Sequence, residues 1–158
     1  MNLPPPIQPQ RLRRLDKLFV QSPRYFITFC THDRAPLLAH EFVHLVFVSF
    51  CTKASEHDVW VGRYVVMPDH VHFFAALAET APTLSGWIKS LKNTLSKSLR
   101  EHGHSAPHWQ KGFFDHVMRS AESYSEKWDY VRANPVRAGL VSNPDQWPYQ
   151  GSLHDLRF

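Results

Sequence analysis

Cysteine is scarce in this chain: two occur among 158 residues, Cys30 and Cys51, each inside an apolar run. Neither belongs to a CxxC pair, so a structural zinc site has no framework, and the pair reads as two buried thiols rather than a disulfide. No stretch of eighteen apolar residues occurs, which leaves no candidate transmembrane helix. The N-terminus lacks the apolar core of a signal peptide, so a cytoplasmic location is expected. No internal repeat is found.

What is present suffices for one domain. A hydrophobic fraction of 43% with 13% aromatic residues can build a core, which excludes global disorder. Lysine plus arginine exceeds aspartate plus glutamate by 18 to 14, with a pI near 9.2. That modest basic excess suits a nucleic-acid partner, though many soluble proteins share it.

Residues 1–20 read as an extended basic tail, with four prolines followed by "RLRRLDK", and residues 21–158 as a single domain. "RYFITFCT" (24–31) has the aromatic and β-branched density of a strand. Apolar residues recur at Phe42, Leu45, Val46, Ser49 and Phe50, which predicts a helix over about 39–55. "VWVGRYVVMP" (59–68) and "HVHFFAAL" (70–77) predict two strands joined antiparallel through Pro68 and Asp69. Leu84, Trp87, Ile88, Leu91, Leu95 and Leu99 share one arc of a second helix capped by Thr83 or Thr80, with Lys89, Lys92, Lys97 and Arg100 opposite. "WQKGFFDHVMRS" (109–120) reads as a fourth strand, with a bulge expected at Gly112. A third helix is expected over 121–134, ending before Pro135. The order β-α-β-β-α-β predicts an α+β, ferredoxin-like split βαβ fold. Its four-stranded antiparallel sheet carries helices on one face, and a C-terminal helix is added.

Two histidines open the third strand, in "PDHVH" at 68–72. Residues two apart on a strand point the same way, so His70 and His72 share a face opposite Val71, Phe73, Ala75 and Leu77. Neutral imidazoles there can bind a metal. The pattern alone is weak, because eleven histidines yield roughly 0.8 HxH matches by chance. A second match, His102 and His104, falls in a loop with no strand to aim it. A metal on two histidines also needs oxygen ligands. Asp69 is adjacent, but on the turn its direction is open, and the candidate taken with His70 and His72 is Asn134, at the end of the last helix.

On the last helix Tyr124, Trp128 and Val131 form the apolar stripe. Tyr130 lies off it and shares a face with Asn134 one turn on. The bland reading is a surface tyrosine. If it meets the histidines, a phenol beside a divalent cation can attack a phosphodiester. Mixed nitrogen and oxygen ligation favours Mg²⁺ or Mn²⁺.

"YVVMPDHVHFF", "HWQKGFFDHVMR" and "YVRANPVRAGLV", in this order and spacing, resemble the REP-associated tyrosine transposases, a branch of the single-tyrosine HUH transposases. The resemblance spans about Tyr25 to Tyr149. It implies a bacterial, nucleoid-associated enzyme that binds single-stranded DNA hairpins, REP-like palindromes, and cuts beside them. His70 and His72 match the family's metal ligands and Tyr130 its nucleophile, giving a 5′-phosphotyrosine. Asn134 matches the polar position one turn later, which is glutamine in related insertion-sequence enzymes. Tyr124 is the rival nucleophile, set aside on its phase. Asp115 and His116 match family positions whose role the residues do not reveal. Related insertion-sequence enzymes pair as dimers, whereas this branch is expected to act as a monomer. Candidate DNA contacts are Arg13, Arg14, Lys89, Lys92, Arg119 and Arg137.

Two other classes stay open on sequence. One is a non-catalytic nucleic-acid-binding module, although "HVHFF" lacks the Gly-aromatic signature of such sheets. The other is a metal hydrolase in which His70 and His72 activate water and Tyr130 is structural.

Overall fold

Alternation of β-branched and aromatic residues builds the centre of the molecule. A computed structural model of the protein describes residues 22–157. Strands β1 (Arg24–Cys30), β2 (Val59–Val66), β3 (His70–Leu77) and β4 (Phe114–Met118) form an antiparallel sheet. The strand order is β4-β1-β3-β2-β5. The first four have the ferredoxin-like arrangement predicted from sequence. The fifth, β5 (Gln150–Ser152), adds an edge that the sequence reading did not anticipate. It is three residues long in a turn-rich tail, too short to show periodicity.

Helices α1 (Glu41–Lys53) and α2 (Leu84–Glu101) cover one face. Their buried side chains pack with Ile27, Phe29, Val71, Phe73, Ala75 and Leu77. Trp87, Ile88, Leu91, Leu95 and Leu99 form the buried line of α2 as predicted, and the Thr83 hydroxyl caps it by accepting from the Gly86 N–H at 3.1 Å. The apolar recurrence in α1 marks the helix but not its buried line. Val43, Phe47 and Cys51 are buried, whereas Leu45 is exposed. A helix apolar on most of its circumference leaves its phase to tertiary packing.

The other face carries a second core of Phe26, Trp60, Phe74, Tyr124, Val131, Trp147 and Leu156. Here α3 (Ala121–Arg132) lies against the sheet, started by the Ser120 hydroxyl, which accepts from Ser123 N–H. The predicted helix to Asn134 is in fact two. The first ends at Arg132, and α4 (Asn134–Arg137) begins again with Pro135 in its first turn. Proline's fixed φ and missing N–H suit a helix start, so the chain restarts instead of stopping. The fourth strand is shorter than predicted, and Gly112 (φ +78°) lies in the loop before it. Cys51 is buried and Cys30 half-buried, both free thiols.

The C-terminal segment is held to β2 by backbone and indole contacts. Trp147 Nε1–H donates to Val66 O at 3.0 Å. Gly62 makes room for Leu156, whose Cδ1 would lie 2.7 Å from a Cβ at that position.

Candidate functional site

A tight turn starts the site. Pro68 presets φ for a chain reversal, and Met67 N–H donates to His70 O at 2.8 Å. β3 therefore begins at His70, and alternation puts His70 and His72 on the face away from α1 and α2. Their ring centroids are 4.6 Å apart.

Each imidazole is held at Nδ1. His70 Nδ1 lies 2.7 Å from Asp69 Oδ1, and Asp69 Oδ2 accepts from Arg34 Nε–H at 2.8 Å. The Asp69 carboxyl sits below its ordinary range; burial alone would raise it, but His70 and Arg34 outweigh that. An ionised carboxylate only accepts, so Nδ1 of His70 carries the proton and Nε2 the lone pair. His72 Nδ1 lies 2.6 Å from the Thr28 hydroxyl, its partner across the β1–β3 ladder. Its ring stacks on Phe26 at 5.3 Å.

Both histidines are kept neutral. The His70 imidazolium is disfavoured by burial first, then by Arg34, against the raising effect of Asp69. The His72 pKa is pushed down to about 3, by burial first and then by His70, Lys127, Arg137 and Arg34. Neutral rings anchored at Nδ1, with no hydrogen bond to Nε2 among the described residues, are in the state a metal ligand requires. Among the described residues no group of three or more His, Cys, Asp or Glu side chains could hold a metal. A cation here would depend on the two imidazoles plus amide, solvent or substrate oxygens, a donor set that fits Mn²⁺ or Mg²⁺. Asp69, spent on His70 and Arg34, is a supporting group.

Across from the histidines stands α3. Tyr124 is 8% exposed, with its ring 4.5 Å from Phe74 and the Arg63 guanidinium over it. Tyr130 is 64% exposed. The Arg137 guanidinium lies 4.0 Å from the Tyr130 ring centroid and also donates to Asn134 Oδ1. Arg137 thus touches both residues of the tyrosine side, and it bears on the protonation of His72.

The expected DNA contacts divide by position. Arg13 and Arg14 lie outside the described residues. Lys89 and Lys92 stand on α2, across the sheet from the histidines. The Lys92 ammonium donates to the carbonyls of Gln110 (3.2 Å) and Gly112 (2.6 Å), fixing the loop before β4. Arg119 is exposed just past β4, and Arg137 is at the site. Sequence reasoning missed Thr28, Arg34 and Lys127. Thr28 could be found only from the ladder register, and Arg34 only from its left-handed turn (φ 55°), which no motif marks.

A family model described as transposase, IS200-like, matches residues 19–134. A REP-associated tyrosine transposase of Escherichia coli (strain K12) is 28% identical over 140 residues, covering 89% of this chain and 82% of that protein. A Haemophilus influenzae protein assigned provisionally to the same kind is 22% identical over 149 residues, covering 88% and 85%. A solved structure described as a REP-associated tyrosine transposase bound to a REP hairpin shares the fold, with TM-score 0.67 and 22% identity over 81% of this chain and 75% of that one.

Proposed function

The chain belongs to the IS200-like transposases, and we propose that it is a sequence-specific single-stranded DNA endonuclease and strand transferase acting through Tyr130. It binds hairpin DNA of the REP type and cuts beside it. The supporting observation is that one residue, Arg137, engages Tyr130 and Asn134 and also weighs on His72.

In this reading the phenolic oxygen of Tyr130 attacks the scissile phosphorus and loses its proton to solvent. The P–O3′ bond breaks, the 3′-oxygen takes up a proton, and the strand end remains as a 5′-phosphotyrosine. One phosphoester replaces another, so the strand can be rejoined without ATP. Arg137, 4.0 Å above the ring, stabilises the phenolate as it forms. A divalent cation held by His70, His72 and the Asn134 amide oxygen would polarise the phosphoryl group. Asn134 Oδ1 has two lone pairs, so its bond from Arg137 leaves one for that role. Arg34, Lys127 and Arg137 supply phosphate contacts on this side, with Arg119 just past β4 and Arg13 and Arg14 from the tail. A strand reaching Lys89 would have to pass round the sheet edge.

Labelled hairpin DNA incubated with the protein and Mn²⁺, then run on a denaturing gel, tests the reading. A covalent adduct lost in Tyr130→Phe is expected. Cleavage without an adduct would instead indicate water activation by the histidines, and binding without cleavage a silent module.

A further inference from the structure

Among the described residues two large aromatic side chains are exposed, Tyr130 at 64% and Phe114 at 58%. Tyr130 is the proposed nucleophile; Phe114 has no part in that chemistry. It lies on the edge strand β4, where only Met118 is buried. The register decides which way it faces. Phe114 pairs with Thr28, and Thr28 pairs with His72, so the three stand in one row across the sheet. Met118, two positions beyond His116 on the same face, belongs to the core under α3, which fixes that face as the histidine side. His72 is two strands from Phe114, about 10 Å away. Between them the floor is Thr28, a small side chain.

The next row repeats the pattern. His116, exposed, pairs with Phe26, and the Lys127 ammonium lies 5.1 Å over the Phe26 ring. Asp115, the carboxylate of this strand, falls on the opposite face by alternation. A large exposed aromatic with a cation over the next row is how proteins hold single-stranded nucleic acid. The ring stacks a base while the cation meets the phosphate. As the apolar side chain of an uncovered sheet edge, Phe114 would otherwise be a liability.

We propose that Phe114 is the stacking platform for an unpaired base of the single strand that enters the histidine site, with His116 and Lys127 flanking it. The inference rests on the single-strand nuclease reading and adds to it the residue that selects unpaired flanks over duplex.

The test uses the full chain in EDTA and two labelled oligonucleotides, a hairpin with a single-stranded extension and the same hairpin without one. Phe114→Ala is expected to lose about tenfold in affinity for the extended oligonucleotide and less than twofold for the bare hairpin. Phe114→Trp is expected to restore binding, with its added emission quenched by the extended oligonucleotide alone. Equal loss on both oligonucleotides, unchanged affinity, or an unquenched Phe114→Trp would overturn the proposal. So would a dimer through β4 that Phe114→Ala abolishes without altering DNA affinity. An adduct assay run alongside separates the two claims. No Tyr130 adduct in the wild type sinks the nuclease reading, whereas an adduct with an unaffected Phe114→Ala sinks only this one.

Discussion

The Asp69 carboxylate does two jobs with two oxygens. One holds the proton of His70 on Nδ1, and the other holds Arg34 in a left-handed turn that a non-glycine residue adopts only when its surroundings demand it. Asp69→Asn keeps the shape but weakens the hold on the His70 tautomer. Mn²⁺ affinity measured by calorimetry should then fall 10- to 100-fold, the usual size of such second-sphere effects. Unchanged affinity would mean that His70 is aimed by packing alone. Thr28→Val should act in the same direction on His72, because Nδ1 loses its partner at 2.6 Å. The histidine pair was legible in the sequence because alternation on a strand is a local rule. Its anchors were not, since Thr28 lies 44 positions from His72 and Arg34 lies 35 positions from the Asp69 carboxylate that it holds.

Among the elements, α2 was the most readable, with one clean period and a clear start at Thr83. β3 was marked by the turn at Pro68–Asp69 and by its β-forming composition, since residues 73–77 are buried on both faces of the sheet and show no alternation. The C-terminal region was the least readable. Its contribution consists of a three-residue strand and single side chains inserted into gaps left by others. Gly62 is one such gap, and a methyl group there would meet Leu156 Cδ1 at 2.7 Å and Cγ at 2.8 Å. Gly62→Ala should therefore destabilise the protein by about 1–3 kcal/mol in chemical denaturation, through overpacking between β2 and the C-terminal segment. A neutral outcome would show that Leu156 moves aside without cost. The Tyr130 helix was placed correctly in phase, with Tyr124 buried and Tyr130 outside. Its end was misplaced by two residues because Pro135 opens a new helix.

For the molecule as a whole, a basic composition and four histidines kept neutral set its response to pH. His44, His70, His72 and His154 all lie below the ordinary value of 6.5, each chiefly through burial. Below 6.5 the unfolded chain binds protons that the folded chain does not, so stability falls as the pH drops. For His72 the window runs from 6.5 down to about 3. In EDTA the urea midpoint should be lower at pH 5 than at pH 7, and His72→Gln should narrow that gap. A midpoint that rose on acidification would contradict the buried, neutral site. No helix among the described residues is long and apolar enough to cross a membrane.

The central claim is that Tyr130, and not the buried Tyr124 six positions earlier, forms the covalent bond to DNA. Peptide mass spectrometry of the protein after reaction with hairpin DNA and Mn²⁺ addresses it directly. The account predicts a nucleotide-modified peptide carrying the phosphate on Tyr130, retained in Tyr124→Phe and absent in Tyr130→Phe. A modification mapped to Tyr124, or cleavage that persists in Tyr130→Phe, would contradict it.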